Sequence, residues 1–185
     1  KIEELREATN YQVPIFLKMG ATRPRYDVAI AAKAGVDVIV VDGAEGGTGA
    51  SPELLLDHTG IPLISAIRAA REALDECGKT GEVSLVAAGG IRSGTDVAKC
   101  LALGADAVMI GTAGLVALGC NSPRYFDDYA ALGTAPGRCH HCHTGLCPVG
   151  VATQDPELEK RVDVPAASER VARFLTAMTM EVSLL

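Results

Sequence analysis

Cys139, Cys142 and Cys147 fall within nine residues of the tract RCHHCHTGLCPVGVATQDPEL, and Pro148 follows the last of them at once. Cys120 lies upstream. Thiolates packed this densely in one loop usually hold a metal or an iron–sulfur cluster. A proline after the last thiolate fixes the backbone beside it, as in ferredoxin loops. His140, His141 and His143 keep a zinc knuckle as the main rival. Cysteine density and the Cys-Pro end put iron–sulfur first. Cys77 and Cys100 fall in helix-like stretches and read as buried small hydrophobes. His58 has no partner pattern.

A second set of residues points to phosphate. In GGIRSG, Gly89 and Gly90 close a strand and a helix begins near Ser93 to Thr95. Backbone N–H groups at a helix start attract phosphate, and glycine lets it approach. Gly111 and Thr112 end the next strand before another helix. Paired loops after the last two strands form the phosphate site of many barrels. A tight strand-to-helix turn also needs Gly and Ser for its own sake. Lys18, at the C-terminal end of a strand, points toward the mouth of such a sheet. Its cation can stabilise a reduced ring or an oxyanion, although a solvated strand-end lysine is the commoner case. The loop GAEGGTGASP can lie flat against a ligand or be plain surface. Asp42 and Glu45 beside it are candidates for acid–base work.

The elements that position these residues alternate regularly. Helix-like segments cover 2–8, 25–34, 64–76, 95–103 and 112–118, and strand-like runs cover 13–19, 36–42, 83–90 and 105–111. Units of about thirty residues predict βαβ connections and a parallel sheet. The near-continuous apolar runs predict strands buried on both faces. Four units are half of a TIM barrel, and a doubly wound sheet is the open alternative. The expected organisation is half a barrel over 1–119, an insertion and cysteine loop over 120–160, and a C-terminal helix over 161–185. That helix would bury Ala167, Val171, Phe174, Leu175 and Met178 on one face.

Composition agrees. The chain has 185 residues, 48% apolar, with 20 glycines and no tryptophan, which suits a buried α/β sheet. A net charge of −6 argues against a nucleic-acid footprint. No apolar run is long enough to span a bilayer. No basic leader opens the sequence, so a cytoplasmic protein with reduced cysteines is expected. Lys1 begins inside a helix-like stretch without a methionine, so a fragment is expected, with four more βα units upstream.

GGTGASP, Lys18, GGIRSG, GTAGLVALGC and CHTGLCPVGVATQDPEL together closely resemble the FMN-binding domain of glutamate synthase, from about residue 13 to 160. CPVGVATQ is the most specific part; GGIRSG and the following GT are shared more widely and identify phosphate only. The resemblance implies a TIM barrel carrying FMN beside an iron–sulfur cluster. Reduced flavin delivers hydride to 2-iminoglutarate, formed from 2-oxoglutarate and ammonia, and the cluster relays electrons. Lys18 would contact the flavin and serve catalysis. Gly89, Gly90, Gly111 and Thr112 would hold its phosphate, and Gly46, Gly47 and Thr48 would line the site.

Two departures from the family pattern stand out. The family spaces its three cluster cysteines C-x5-C-x4-C directly after the LGC segment. Here an insertion separates Cys120 from Cys139, and Cys139-x2-Cys142 replaces the longer spacing. The cluster is therefore [3Fe–4S] or [4Fe–4S]. Cys139 is favoured over Cys120 as first ligand, because it needs no long closure. The second departure is the missing first half of the barrel. No glutaminase domain is present, so ammonia would come from a partner or from solution, and an electron-donor protein is a further expected partner. Three alternatives stay open: an N-methylglutamate synthase-type subunit using methylamine, a zinc-stapled non-catalytic α/β subunit, and a phosphate-binding barrel enzyme without flavin.

Overall fold

The computed structural model describes residues 1–47 and 51–185. Two compact units are present: one holds Lys1–Gly47 with Leu54–Ile110, and the other holds 51–53 with Gly111–Leu185.

The first unit is a parallel α/β sheet. Strands β1 (Phe16–Gly20), β2 (Val38–Asp42), β3 (Ser84–Ala88) and β4 (Ala107–Met109) lie side by side in chain order, all parallel. Helix α1 (Ile2–Ala8) precedes β1, and α2 (Pro24–Lys33) joins β1 to β2. Helices α3 (Glu53–His58) and α4 (Leu63–Glu76) lie between β2 and β3, and α5 (Gly94–Ala102) lies between β3 and β4. The strand order follows the chain order without reversal, and right-handed crossovers then put α2, α4 and α5 on one face, which is the plan of a barrel wall and not of a doubly wound sheet.

One face of the sheet is sealed. Ile39, Val41, Leu85 and Ala87 are fully buried. Val28, Ala31 and Ala32 of α2 and Ala66, Ile67, Ala70, Ala73 and Leu74 of α4 are the buried residues of the helices that cover it. Small alanines let the helices approach closely, and each buried Ile, Leu or Val contributes about 1.5–3 kcal/mol. The other face carries Phe16, Lys18 and Gly20, then Val38, Val40 and Asp42, with Val86, Ala88 and Met109 in register. Val40, Val86 and Ala88 form a small buried cluster there, but Phe16 is 59% exposed and Met109 42%. The expectation of burial on both faces therefore holds only at the centre of the sheet. Among the described residues, no helix of this unit is seen covering the second face, and its outer strands stay open at Phe16 and Met109.

Several boundaries move inward. The apolar run 36–42 pairs only from Val38, because Asp37 turns the chain: its carboxylate accepts from the Ile15 N–H (2.6 Å) and from Arg6 (2.6 Å). The last strand shrinks from 105–111 to Ala107–Met109. Helix α3 went unread: residues 53–63, between the GAEGGTGASP loop and the helix expected from Ile64, carry no expected element.

The second unit holds α6 (Thr112–Leu118), a short 3-10 turn (Pro123–Tyr125), α7 (Phe126–Ala131), a second 3-10 turn (His141–His143), α8 (Pro156–Glu159) and α9 (Val164–Leu184). Asp163 caps α9, its carboxylate accepting from the Ala166 N–H (3.1 Å). From α9, Arg170 donates to the carbonyls of Ala117 (3.1 Å) and Leu118 (2.9 Å), tying it to the open end of α6. Ala167 and Met178 are buried on α9 as expected, but Leu175 is 45% exposed, so the apolar stripe is narrower than the sequence suggests.

Candidate functional site

Lys18 is the third of five residues in β1, level with Val40 and not at the strand end. Its long side chain still reaches the C-terminal edge of the sheet, where its Nζ pairs with Asp42 Oδ2 at 3.0 Å. Lys18 is half exposed, so the pair adds little stability. Its value is positional.

The other Asp42 oxygen explains two of the glycines. A Cβ on Gly46 would lie 1.9 Å from Asp42 Oδ1, and one on Gly89 would lie 2.9 Å from the same atom. Both glycines are bare because this carboxylate occupies the space. Gly89 and Gly90 also have φ of +101° and +72°, a region side chains rarely adopt. Gly90 faces Glu45, whose Cβ would stand 2.8 Å from an added Cβ. Glu45 is itself engaged: its Oε2 accepts from the Leu63 N–H (3.0 Å) at the start of α4. That is a capping role rather than the acid–base role suggested by its position in sequence. Lys18, Asp42, Gly46, Gly89 and Gly90 thus meet at one edge of the first unit. Gly47 follows with φ +123°, and Thr48 lies outside the described residues.

The start of α5 is partly filled by the chain itself. Ser93 accepts from the Asp96 N–H (3.3 Å), and Asp96 Oδ2 accepts from the Arg92 N–H (3.0 Å). This is a reciprocal capping pair. Burial pushes the Asp96 carboxyl up, but the Arg92 and Ser93 donors outweigh it and hold the carboxyl below its ordinary range. A phosphate here would share the terminus with a carboxylate. Gly111, which starts α6 in the second unit, is different. It has no side-chain cap, and an added Cβ would meet nothing within 4 Å.

The cysteines gather in the second unit. Cys147 is buried, Cys120 and Cys139 are half-buried, and Cys142 is exposed. Burial pushes the Cys120 thiol up, and the charges of Cys142, Cys147 and Cys139 push it further. Cys142 is raised by burial and then by Cys139 and Cys147. Cys139 packs against the buried group of Tyr129, Cys147 and Val149. Cys120 joins the others because the insertion closes on itself. Asn121, at φ +63°, turns the chain, and its Oδ1 accepts from the Gly137 N–H (2.9 Å). Arg161 then joins insertion to loop, donating to the Pro148 carbonyl (2.6 Å) and to Asp128 of α7 (3.1 Å). Among the described residues, no three Cys, His, Asp or Glu side chains converge to hold a single metal ion.

Two neighbours of this group stand out: Tyr129, which the sequence did not mark as chemistry, and His141, one of the three histidines that kept zinc as a rival. Tyr129 of α7 is 1% exposed and packs with Cys147 and Val149. Burial pushes its hydroxyl up to about 12, with the charges of Cys120, Cys139 and Cys147 adding to the shift. His141 has both ring nitrogens buried without a hydrogen-bond partner and stacks on His140 at 4.9 Å. Of the remaining cysteines, Cys100 is buried as expected, whereas Cys77 is half-buried just past the end of α4.

A family model described as a conserved region in glutamate synthase matches residues 1–185. The chain belongs to the glutamate synthase family. It is 52% identical over 181 residues to a glutamate synthase large subunit-like protein of Rhizobium meliloti, covering 98% of this chain and 41% of the relative. It is 43% identical over 182 residues to the archaeal glutamate synthase [NADPH] of Methanocaldococcus jannaschii, covering 98% of this chain and 32% of that protein. The chain thus spans well under half the length of these relatives. Among solved structures, FabK from Thermotoga maritima is 23% identical with a TM-score of 0.48, covering 64% of this chain and 32% of that one. Among the described residues, no helix is long and apolar enough to cross a membrane.

Proposed function

We propose that this chain is the cofactor-bearing part of a glutamate synthase, an oxidoreductase that uses FMN and an iron–sulfur cluster to reduce 2-iminoglutarate, formed from 2-oxoglutarate and ammonia, to L-glutamate. The observation that carries the reading is the end-to-end family match of a chain that places Cys120, Cys139, Cys142 and Cys147 in one compact unit. The sheet supports a barrel wall, and its open second face is the side a lumen would occupy.

The donor set fits a cluster. Cys139, Cys142 and Cys147 would hold it, and the closed insertion supplies Cys120 as a fourth thiol, which favours a four-iron form. FMN would lie at the C-terminal edge of the sheet, where Gly46, Gly47, Gly89 and Gly90 leave the backbone bare; the family resemblance assigns its phosphate to Gly89, Gly90, Gly111 and Thr112. When bound, the flavin supplies hydride and the cluster supplies single electrons. The chain itself has simpler tasks. Lys18 presents a cation, Asp42 holds that cation in place, and the bare Gly111 leaves room for a ligand at the start of α6. Several relatives, the Methanocaldococcus jannaschii protein among them, carry NADPH in their names, which makes NADPH the electron source to test first. Ammonia would come from a glutaminase domain or subunit.

The unpaired nitrogens of His141 favour a second reading, a Cys/His zinc site that staples the loop. Metal and flavin analysis of the purified full-length protein separates the two. Iron with acid-labile sulfide and about one FMN per chain is expected. Zinc without flavin would overturn the redox reading. Serine replacement of Cys120 and Cys139 one at a time should each lower iron per chain; full iron after either change removes that thiol from the ligand set.

A further inference from the structure

Arg6, Arg23, Arg25, Arg68 and Arg71 of the first unit each pair with a carboxylate. Arg92 is the one arginine of this unit without such a pair among the described residues. It is exposed on the turn between β3 and α5, two residues after Gly90. Its Nε donates to the Gly90 carbonyl at 3.3 Å, which ties the guanidinium to the glycine turn. The rigid fork carries four more N–H donors beyond that one.

Two rivals for an anion at this edge are already engaged. The Arg92 backbone N–H donates to Asp96 Oδ2 (3.0 Å), and the Asp96 N–H donates to Ser93 Oγ (3.3 Å). The start of α5 thus carries a carboxylate of its own, which repels a second anion. Lys18 has its charge answered by Asp42 at 3.0 Å. The guanidinium of Arg92 has no such answer within the unit.

We propose that the Arg92 side chain is the anchor for the phosphate of FMN, holding it beside the bare Gly89–Gly90 turn. The inference rests on the flavin reading above. A guanidinium matches two phosphate oxygens at once, and such a charge-assisted contact is stronger than one from a neutral amide. The two glycines supply clearance for the phosphate to approach. The cation supplies the attraction that the capped start of α5 does not.

The test compares two flavins on full-length protein stripped of cofactor: FMN, and riboflavin, which has the same ring and no phosphate. Arg92→Gln should weaken FMN binding by about tenfold and leave riboflavin binding and the ligand-free melt unchanged. Added salt should weaken FMN binding more steeply in the wild type than in this variant. Arg92→Lys keeps the charge without the fork and should fall between the two. An equal loss for both flavins overturns the proposal, because Arg92 would then shape the ring pocket or the fold. Unchanged FMN affinity in the glutamine variant overturns it as well, and so does a lysine variant as weak as the glutamine one. Wild-type protein that binds neither flavin would refute the flavin reading itself, and the phosphate anchor with it.

Discussion

Gly46→Ala separates two reasons for a glycine in the GGTG loop. If Gly46 is bare so that a ligand can lie against it, alanine should weaken ligand binding and leave the ligand-free protein stable. The structure gives a different reason. The added Cβ would stand 1.9 Å from Asp42 Oδ1, 2.7 Å from its Cγ and 3.1 Å from the Gly89 Cα. To reach an ordinary 3.4 Å contact, the carboxylate oxygen must retreat by roughly 1.5 Å. The whole carboxylate must swing to allow this, which carries its other oxygen, Oδ2, out of the 3.0 Å pairing with Lys18. Losing that half-exposed pair costs under about 1 kcal/mol. Crowding against Asp42 and the Gly89 backbone adds about 1–3 kcal/mol. The sum is about 2 kcal/mol, paid in the ligand-free state.

The assay is unfolding of the ligand-free full-length protein, repeated in an Asp42→Ala background. With the carboxylate gone, Gly46→Ala should cost about 1 kcal/mol less, because close neighbours are not additive. An equal cost in both backgrounds, or no cost in either, would refute the claim that Asp42 is what excludes a side chain at Gly46.

Gly150→Ala should destabilise the cysteine-bearing unit by about 3 kcal/mol, combining strain at a left-handed position with overpacking, since its Cβ would lie 2.2 Å from the Leu158 carbonyl at φ +80°; a melt within a degree of wild type would contradict this. Gly111→Ala should leave the ligand-free melt unchanged, because its Cβ meets nothing within 4 Å, so any loss of FMN affinity there reports on the ligand; Gly90→Val is a poor substitute, since Glu45 and φ +72° penalise it before any phosphate does. The Asp37 carboxyl is held below its ordinary range, first by the Ile15 N–H and, against a desolvation penalty, by Arg6. The stabilisation it gives the turn before β2 is therefore complete above an unfolded value of roughly 3.9 and is lost as pH falls through the lower folded value. Asp37→Asn should flatten that acid limb of stability, and an acid limb identical to wild type would count against it.

The parallel sheet was legible because buried strands in βαβ units repeat a short apolar run bounded by glycine, and each of the four runs became a strand. What the run could not show is that one face stays open at Phe16 and Met109, since apolar residues look alike whether or not anything covers them. The Cys-x2-Cys-x4-Cys tract was legible as chemistry for the same local reason: its spacing is written in one loop. Its surroundings were not. Asn121, Tyr129 and Arg161 are ordinary residues whose roles exist only once the insertion has closed and α7 has docked. The one hint was the sequence Cys120-Asn121, an asparagine able to take the left-handed turn directly after a thiol. That turn changes the weighing of Cys120 against Cys139. Loop closure looked like a cost to be charged against Cys120 when the insertion was read as flexible chain. In the fold, the Gly137 hydrogen bond, the Arg161 bridge and the buried Tyr129 ring have already met that cost. A thiol held in place by the folded insertion is as available to the centre as one in the tight loop, and the argument from chain length that favoured Cys139 no longer separates the two.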